Sequence, residues 1–231
     1  MKKIVILFIF AFGTLAATAQ KKKVVFMIVD GIPADMIEKL NTPALDAISK
    51  IGGYRRAYVG GEKGGYSQTP TISAVGYNSL LTGTWVNKHN VWDNDIKAPN
   101  YSYHNLFRLL ETQSPSKKTA VFSTWLDNRT KLVGEGLPDA GAIKLDFHVD
   151  GLEKDTVKYP HDNDAFYIHR IDEEVVKQAA TYIRNEGPDL AWIYLEYTDD
   201  MGHMFGNSGR FEKAIEIMDD QVRRVWEAIQ S

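Results

Sequence analysis

The stretch KVVFMIVDG at residues 23–31 decides the fold class of this chain. It is a continuous apolar run that ends in an acid and a glycine, which is typical of a strand buried on both faces. Strands of this kind belong to parallel sheets that helices cover on both sides. The polar end of the strand, Asp30, is therefore predicted to lie where such sheets place their functional sites.

Two later stretches repeat this pattern. KTAVFSTW at residues 118–125 and LAWIYL at residues 190–195 are both predicted to form buried strands. Apolar residues at helical spacing predict amphipathic helices around residues 33–50, 103–112, 172–187 and 210–229. The alternation predicts an α/β fold, a three-layer sandwich with a mainly parallel sheet and a site at the carboxyl ends of its strands.

Composition and charge exclude several classes of protein. The chain has 231 residues, of which 44% are hydrophobic and 25% charged, so disordered, coiled-coil and collagen-like proteins are excluded. A formal net charge of -3 argues against bulk nucleic acid as a partner, because the chain has no excess of positive charge to bind a phosphate backbone. With no cysteine in the sequence, any metal ligands must be His, Asp, Glu or hydroxyl groups.

The first 19 residues predict a secretory signal peptide. Lys2 and Lys3 precede an apolar run, and Ala17-Thr18-Ala19 matches a small-x-small cleavage site before Gln20. The alternative is a membrane anchor, but the run is shorter than the roughly 20 residues that cross a bilayer. We therefore expect an exported protein without a stable membrane anchor. The absence of cysteine favours the bacterial periplasm over an oxidising secretory pathway.

The exported part, residues 20–231, is predicted to form one domain. Between residues 126 and 170 the hydrophobic periodicity weakens and Gly, Pro, Asp and His become frequent. We interpret residues 126–170 as an insertion over the site. The sequence indicates nothing about the oligomeric state.

A second chemical feature is the segment QTPTISAVGYNSLLTG at residues 68–83, which predicts a short helix with Ser73 as its N-cap. A hydroxyl at the positive end of a helix is stabilised as an anion, and free N–H groups there can bind a phosphoryl oxygen. The alternative for Ser73 is a helix cap without chemistry, and the same alternative applies to Asp30. The residues alone leave both alternatives open.

A third feature, YLEYTDDMGH at residues 194–203, follows the predicted strand at 190–195. Asp199 and His203 are four residues apart, which places a carboxylate and an imidazole on one side of a helix or tight turn. This pair suits a metal such as zinc, whereas the alternative is a salt bridge at a surface turn. Glu196 and Asp200 are expected to be structural rather than metal ligands.

Together these features resemble the alkaline phosphatase superfamily, and in particular its type I phosphodiesterase and nucleotide pyrophosphatase branch. In that superfamily the metal-activated nucleophile opens a helix that closes in Thr-Gly nine and ten positions later, as Ser73, Thr82 and Gly83 do. His89 and Asn94 stand where the branch has a His and a phosphoryl-binding Asn.

Two further elements carry the resemblance. The strand that ends in Asp30-Gly31 is similar to the first metal-binding strand of the family, and residues 199–206 are similar to its Asp-x-x-Gly-His-x-x-Gly element. The resemblance implies a zinc enzyme with two ions, in which Asp30 and Ser73 bind one ion and Asp199 and His203 the other. Manganese would also tolerate the carboxylates.

The chain also departs from the family pattern. The branch usually has Thr as the nucleophile, in a Thr-Phe-Pro-Asn-His context, so Thr71 is an alternative to Ser73, although it breaks the nine-residue interval. The family continues to an Asp-His-Gly and a later His that bind metal, and this sequence stops at Ser231. We expect a C-terminally incomplete, alkaline-phosphatase-like domain from a longer enzyme; the alternative is a short protein with an impaired site.

The resemblance implies hydrolysis of a small phosphate ester, with nucleotides among the candidates, through a phosphoseryl intermediate at Ser73. Asn94 would donate to a phosphoryl oxygen, which favours diesters, while monoester, sulfate and phosphonate substrates remain open. Tyr66, Tyr77 and Trp92 lie near the motifs and could stack on a leaving group, but we expect them to belong partly to the core. The alternative function is a non-catalytic module with a weak metal or phosphate pocket.

Overall fold

The computed structural model describes residues 22–231. The predicted signal peptide at residues 1–19 lies outside the described residues. Four strands form a single sheet: β1 (Val24–Val29), β2 (Thr119–Ser123), β3 (Phe147–Val149) and β4 (Leu190–Leu195). Their order across the sheet is β1-β4-β2-β3, and every neighbouring pair is parallel. The α/β fold with a parallel sheet is therefore confirmed.

Eight α-helices accompany the sheet in the part of the chain that the structure describes. They are α1 (Ala34–Lys39), α2 (Pro43–Gly52), α3 (Ser73–Thr82), α4 (Val86–His89), α5 (Leu106–Gln113), α6 (Phe166–Glu186), α7 (Tyr197–Phe205) and α8 (Gly209–Gln230). A π-helical turn at Asn128–Val133 and short 3-10 turns at Pro138–Ala140 and Leu152–Lys154 lie between β2 and α6. Among residues 22–231, no helix is long and apolar enough to cross a membrane.

The sheet separates two hydrophobic cores, as a three-layer sandwich requires. Strand β4 shows why, because its six residues are all buried and alternate between the faces. Ala191 and Ile193 pack with α6 and α8 on one face. Trp192 and Tyr194 pack with α3 and α5 on the other.

The predicted helix at residues 33–50 is instead two helices, α1 and α2, separated at Leu40–Thr42. Pro43 accounts for the break, because the residue before a proline is disfavoured in helical conformation while proline itself fits the first turn of a helix. The backbone angles of Thr42 are accordingly not helical, with φ -120° and ψ 72°. Because the helix is split, α2 can pack against α8, which is distant in sequence.

Segment 126–170 contributes β3 to the sheet, next to β2 and on the opposite side from β1. Strand β3 is only three residues long, and its central His148 is exposed. Part of the segment therefore lies at the far edge of the sheet, where Phe147 packs against Phe122 and Tyr182. Its interpretation as an insertion over the site stays a prediction.

Candidate active site

A cleft of about 1010 Å³ lies at the carboxyl ends of β1 and β4. Residues after β1, the cleft-facing side of α3, the loop around Asn94 and one side of α7 line it. All five residues proposed from the sequence are among them: Asp30, Ser73, Asn94, Asp199 and His203. None of its lining residues within the described chain comes from 126–170.

Asp30 and Ser73 are in direct contact. The hydroxyl of Ser73 donates to Asp30 Oδ2 at 2.9 Å, and the main-chain N–H of Gly31 donates to Asp30 Oδ1 at 2.9 Å. Thr71, the alternative nucleophile, also lines the cleft, but the hydrogen bond to Asp30 comes from Ser73. The geometry therefore favours Ser73 over Thr71.

Ser73 was predicted to be the N-cap of its helix, and this detail is wrong. Ile72 occupies the N-cap position with extended backbone, and Ser73 is the first helical residue. The Ser73 hydroxyl is directed to Asp30 rather than to a main-chain N–H of its own helix. The position at the positive end of the helix dipole is retained, and the side chain is left available for chemistry.

Four residues on one side of α3 line the cleft: Ser73, Gly76, Tyr77 and Leu80. Their spacing of three, four and seven residues places them on one helical face. Tyr77 is buried and donates its hydroxyl proton to Asp30 Oδ2, the oxygen that also accepts from Ser73. Burial and the nearby Asp30 charge raise the pKa of Tyr77 well above its usual range. Leu80, in contrast, is exposed within the cleft.

Asp199 and His203 lie on α7 as the sequence predicted, with Asp199 Oδ1 and His203 Nε2 3.4 Å apart. Asp199 is mostly buried, whereas His203 is exposed. Burial raises the pKa of Asp199 to about 6, and the negative charge of Asp30 adds to this shift. Since the Asp30 charge opposes ionisation of Asp199, a cation bound near Asp199 would offset this repulsion.

Gly31 allows the two halves of the site to meet. Its φ of +76° is in the left-handed region, and a Cβ atom added there would lie 2.5 Å from Asp199 Cα. The hydroxyl of Thr198 also donates to the main-chain oxygen of Asp30 at 2.6 Å. The start of α7 is therefore packed directly against the end of β1, which brings Asp199 beside Asp30.

The side chain of Asn94 contacts the N-terminus of α3, which is the positive end of the helix dipole. Its Oδ1 accepts the main-chain N–H of Ala74 at 3.0 Å, so this N–H is not free for a phosphoryl oxygen. This bond fixes the orientation of the Asn94 amide group, whose NH2 carries two further donors. Donation from Asn94 to a phosphoryl oxygen stays a prediction.

His89 holds the loop that carries Asn94. It is fully buried, its Nδ1 accepts the N–H of Val91 at 3.1 Å, and its Nε2 lies 2.9 Å from the hydroxyl of Ser79. Burial lowers the pKa of His89 to about 4, so the ring is neutral at physiological pH. His89 therefore serves the structure of the cleft rather than its chemistry.

Sequence reasoning missed two carboxylates of the cleft, Asp93 and Asp95, which flank Asn94. They bring the cleft to four carboxylates with Asp30 and Asp199, against the single imidazole of His203. No lysine or arginine of the described chain lines it. The motif WDND at residues 92–95 carries an acidic signal, but nothing in the sequence indicates that both acids face the site.

The four side chains that we predict to bind metal lie in the cleft as two pairs. Within residues 22–231, no group of three or more His, Asp or Glu side chains is arranged to bind one metal ion. Asp30 is paired with Ser73 and Asp199 with His203, while Asp93 and Asp95 add two further carboxylates to the cleft. Carboxylate, hydroxyl and imidazole are suitable donors for zinc or manganese, and two protein donors leave coordination positions open.

A comparison with models of protein families identifies the family of this chain. The profile of type I phosphodiesterase / nucleotide pyrophosphatase matches residues 24–231. The chain belongs to this family. It is thereby a member of the alkaline phosphatase superfamily, as the motif spacing indicated. A search of curated proteins found no match.

Solved structures share the fold at low sequence identity. Murine ectonucleotide pyrophosphatase/phosphodiesterase 5, an inactive variant in complex with AMP, aligns with a TM-score of 0.57 and 15% identity. Phosphonoacetate hydrolase from Sinorhizobium meliloti, in complex with phosphonoformate, aligns with a TM-score of 0.59 and 14% identity. Each alignment covers 90% of this chain, but 52% of the murine and 54% of the bacterial protein. The chain therefore spans about half the length of these structures.

Proposed function

We propose that the protein is an exported, metal-dependent phosphoric ester hydrolase that acts through a phosphoseryl intermediate on Ser73. The observation that carries this proposal is the hydrogen bond between Ser73 and Asp30 in a cleft that also contains Asp199 and His203. An alcohol at a helix N-terminus beside three metal-binding side chains is the arrangement that metal-activated phosphoryl transfer uses. Family membership supports the same reaction class.

The charge of the cleft supports a requirement for metal. Four carboxylates line it, and no lysine or arginine of the described residues does. A phosphate ester would be repelled by this surface, since like charges at a few ångströms cost free energy even in a solvated cleft. Cations bound between Asp30 and Asp199 would reverse the sign of the local field and make anion binding favourable.

The donor set fits two divalent ions. Asp30 and Ser73 would hold one, and Asp199 and His203 the other, with zinc favoured by the imidazole and the hydroxyl. When bound, zinc lowers the pKa of a coordinated hydroxyl or water and neutralises charge on phosphoryl oxygens. The remaining ligands would be water or substrate.

The protein's own residues then have defined roles. The Ser73 oxygen attacks phosphorus, a bond from Ser73 to phosphorus forms, and the bond from phosphorus to the leaving alcohol breaks. The proton that Ser73 gives up is balanced by the proton that the departing alkoxide takes up. Water later hydrolyses the phosphoseryl ester, which releases the phosphate monoester and returns a proton to Ser73. The amide of Asn94, held by the N–H of Ala74, donates to a phosphoryl oxygen as negative charge on it grows.

The substrate proposed is a small phosphate diester, with nucleotides among the candidates. The related structures contain small phosphorus compounds, AMP in one and phosphonoformate in the other. The exposed side chains of Ile72 and Leu80 line the cleft near Ser73 and give an apolar surface for an ester group. The N-terminal residues support export, and we propose the periplasm as the location.

The test is hydrolysis of bis(4-nitrophenyl) phosphate in the presence of zinc by the parent and two variants. Ser73→Ala is expected to lose at least ~1000-fold in kcat, because the nucleophile is removed. Thr71→Ala is the matched control and is expected to retain activity, since Thr71 has no bond to Asp30. Full loss of activity in Thr71→Ala together with normal turnover by Ser73→Ala would show that Thr71, and not Ser73, is the nucleophile.

A non-catalytic metal- or phosphate-binding module is the second candidate. The observation that favours it is the ligand count, because each pair supplies only two protein donors in the described chain. Titration calorimetry with zinc separates the two functions. Zinc binding by the parent without any hydrolysis of the diester would support the module.

A further inference from the structure

Tyr77 makes a contact that the proposed mechanism does not use. Its hydroxyl donates to Asp30 Oδ2, the oxygen that also accepts from the Ser73 hydroxyl. Tyr77 follows Ser73 by four residues on α3, so both side chains project from the same helical face toward the end of β1. The hydroxyl therefore binds Asp30, a proposed metal ligand, at the oxygen that also holds Ser73, the second proposed ligand of the same ion.

The ring of Tyr77 is held firmly by its neighbours. It packs edge-on against Trp192 with ring centroids 6.4 Å apart, and against Tyr194 at 5.1 Å. Only 4% of the residue is exposed. Since both aromatic neighbours belong to the fully buried strand β4, the position of the Tyr77 hydroxyl is set by the core.

Asp30 depends on these donors for its orientation. Its Oδ1 accepts from Gly31 N, and its Oδ2 accepts from Ser73 and Tyr77. The Ser73 bond cannot persist when Ser73 acts as the nucleophile, because its proton is then lost. Tyr77 is the side-chain donor that remains on Asp30 Oδ2 during the reaction.

We propose that Tyr77 is a positioning residue, whose hydroxyl fixes the Asp30 carboxylate and the Ser73 side chain for metal binding and attack. The consequence for catalysis rests on the proposed function, whereas the consequence for the conformation of Asp30 does not. Groups that orient metal ligands are worth ~10- to 100-fold in metal affinity or activity.

The experiment compares the parent chain with Tyr77→Phe, which removes only the hydroxyl. Zinc affinity is measured by calorimetry. The kinetic constants kcat and KM are measured from the hydrolysis of bis(4-nitrophenyl) phosphate. Tyr77→Phe is expected to bind zinc ~10-fold more weakly and to lose ~10-fold or more in kcat, with little change in KM. Tyr101→Phe is the matched control, because the Tyr101 hydroxyl donates to the main-chain oxygen of Lys131 at 2.7 Å. It is expected to match the parent in both assays.

Crystal structures of metal-free parent and Tyr77→Phe protein give a readout that needs neither zinc nor turnover. We expect one conformer of Asp30 and Ser73 in the parent and several in Tyr77→Phe. If the parent neither binds zinc nor hydrolyses the diester, the proposed function fails, and these structures still decide the role of Tyr77. Identical Asp30 and Ser73 conformers in the two proteins, or equal zinc affinity and kcat, would overturn the proposal.

Discussion

Single side chains determine whether the halves of the cleft can meet. Gly31 is the clearest case, because α7 approaches β1 so closely that any side chain at this position would collide with the main chain of Asp199. Asp30 and Asp199 become neighbours only through this close packing. The sequence marks the site by an Asp-Gly pair, but it gives no measure of how near α7 comes.

Gly31→Ala tests this packing at the residue scale. We expect a loss of about 3 kcal/mol or more in unfolding free energy, because the left-handed backbone and the steric overlap with Asp199 both oppose the substitution. Gly64→Ala is the matched control, since Gly64 also has a φ of +76° but nothing within 4 Å of an added Cβ atom. It is expected to cost only about 1 kcal/mol. Equal losses in urea unfolding would contradict the close contact.

His89 gives a second prediction at the residue scale. The folded protein holds its pKa at about 4, below the ~6.5 of an unfolded histidine. Below pH 6.5 the unfolded chain takes up a proton that the folded protein does not, so this contribution to stability is lost as the pH falls toward 4. We expect the parent to lose about 3 kcal/mol more than His89→Gln between pH 7 and pH 4. Parallel pH profiles in chemical denaturation would show that His89 is not buried as a neutral ring.

At the scale of secondary structure, the apolar pattern predicted the long elements well. Strands β1, β2 and β4 were found because a buried parallel strand is apolar without interruption. Strand β3 was missed, since three residues with an exposed His148 carry no such signal. The orientation of α2 could not be predicted either, because it depends on a residue of α8 that lies 175 positions away in the sequence.

That residue is Asp219. Its carboxylate is buried and accepts the main-chain N–H groups of Ala44 and Leu45, both at 2.9 Å. Thr42, at the N-cap of α2, makes no side-chain capping bond. Asp219, a residue of α8, therefore caps the N-terminus of α2. This cap links two of the helices that cover the same face of the sheet.

Asp219→Asn is expected to lower the unfolding free energy by about 1–2 kcal/mol, since one of the two N–H groups would face an amide donor. Asp220→Asn is the matched control on the same helix, because the Asp220 side chain is half exposed in surface ion pairs with Arg223 and Arg224. Its effect should stay within about 0.5 kcal/mol. Hydrogen exchange should show faster exchange in α2 for Asp219→Asn only. Unchanged exchange at Ala44 and Leu45 would argue against the cap.

At the scale of the whole molecule, the sheet gathers residues that are far apart in sequence. Asp30, Ser73 and Asp199 come from three separate segments, and the parallel topology brings them to one edge because strand ends of a parallel sheet point the same way. That convergence was predictable from the motifs and their order. The bonds of Tyr77 and the acidic lining at Asp93 and Asp95 were not, because they depend on side-chain directions and loop positions that no local pattern encodes.

The central claim is that Ser73 becomes covalently attached to phosphorus. It is tested most directly by mixing the zinc-loaded chain with bis(4-nitrophenyl) phosphate, quenching with acid, and locating the adduct by peptide mass spectrometry. The account predicts a nitrophenyl phosphoryl group on Ser73 that is absent from Ser73→Ala. An adduct on Thr71, or hydrolysis that continues unchanged in Ser73→Ala, would contradict it.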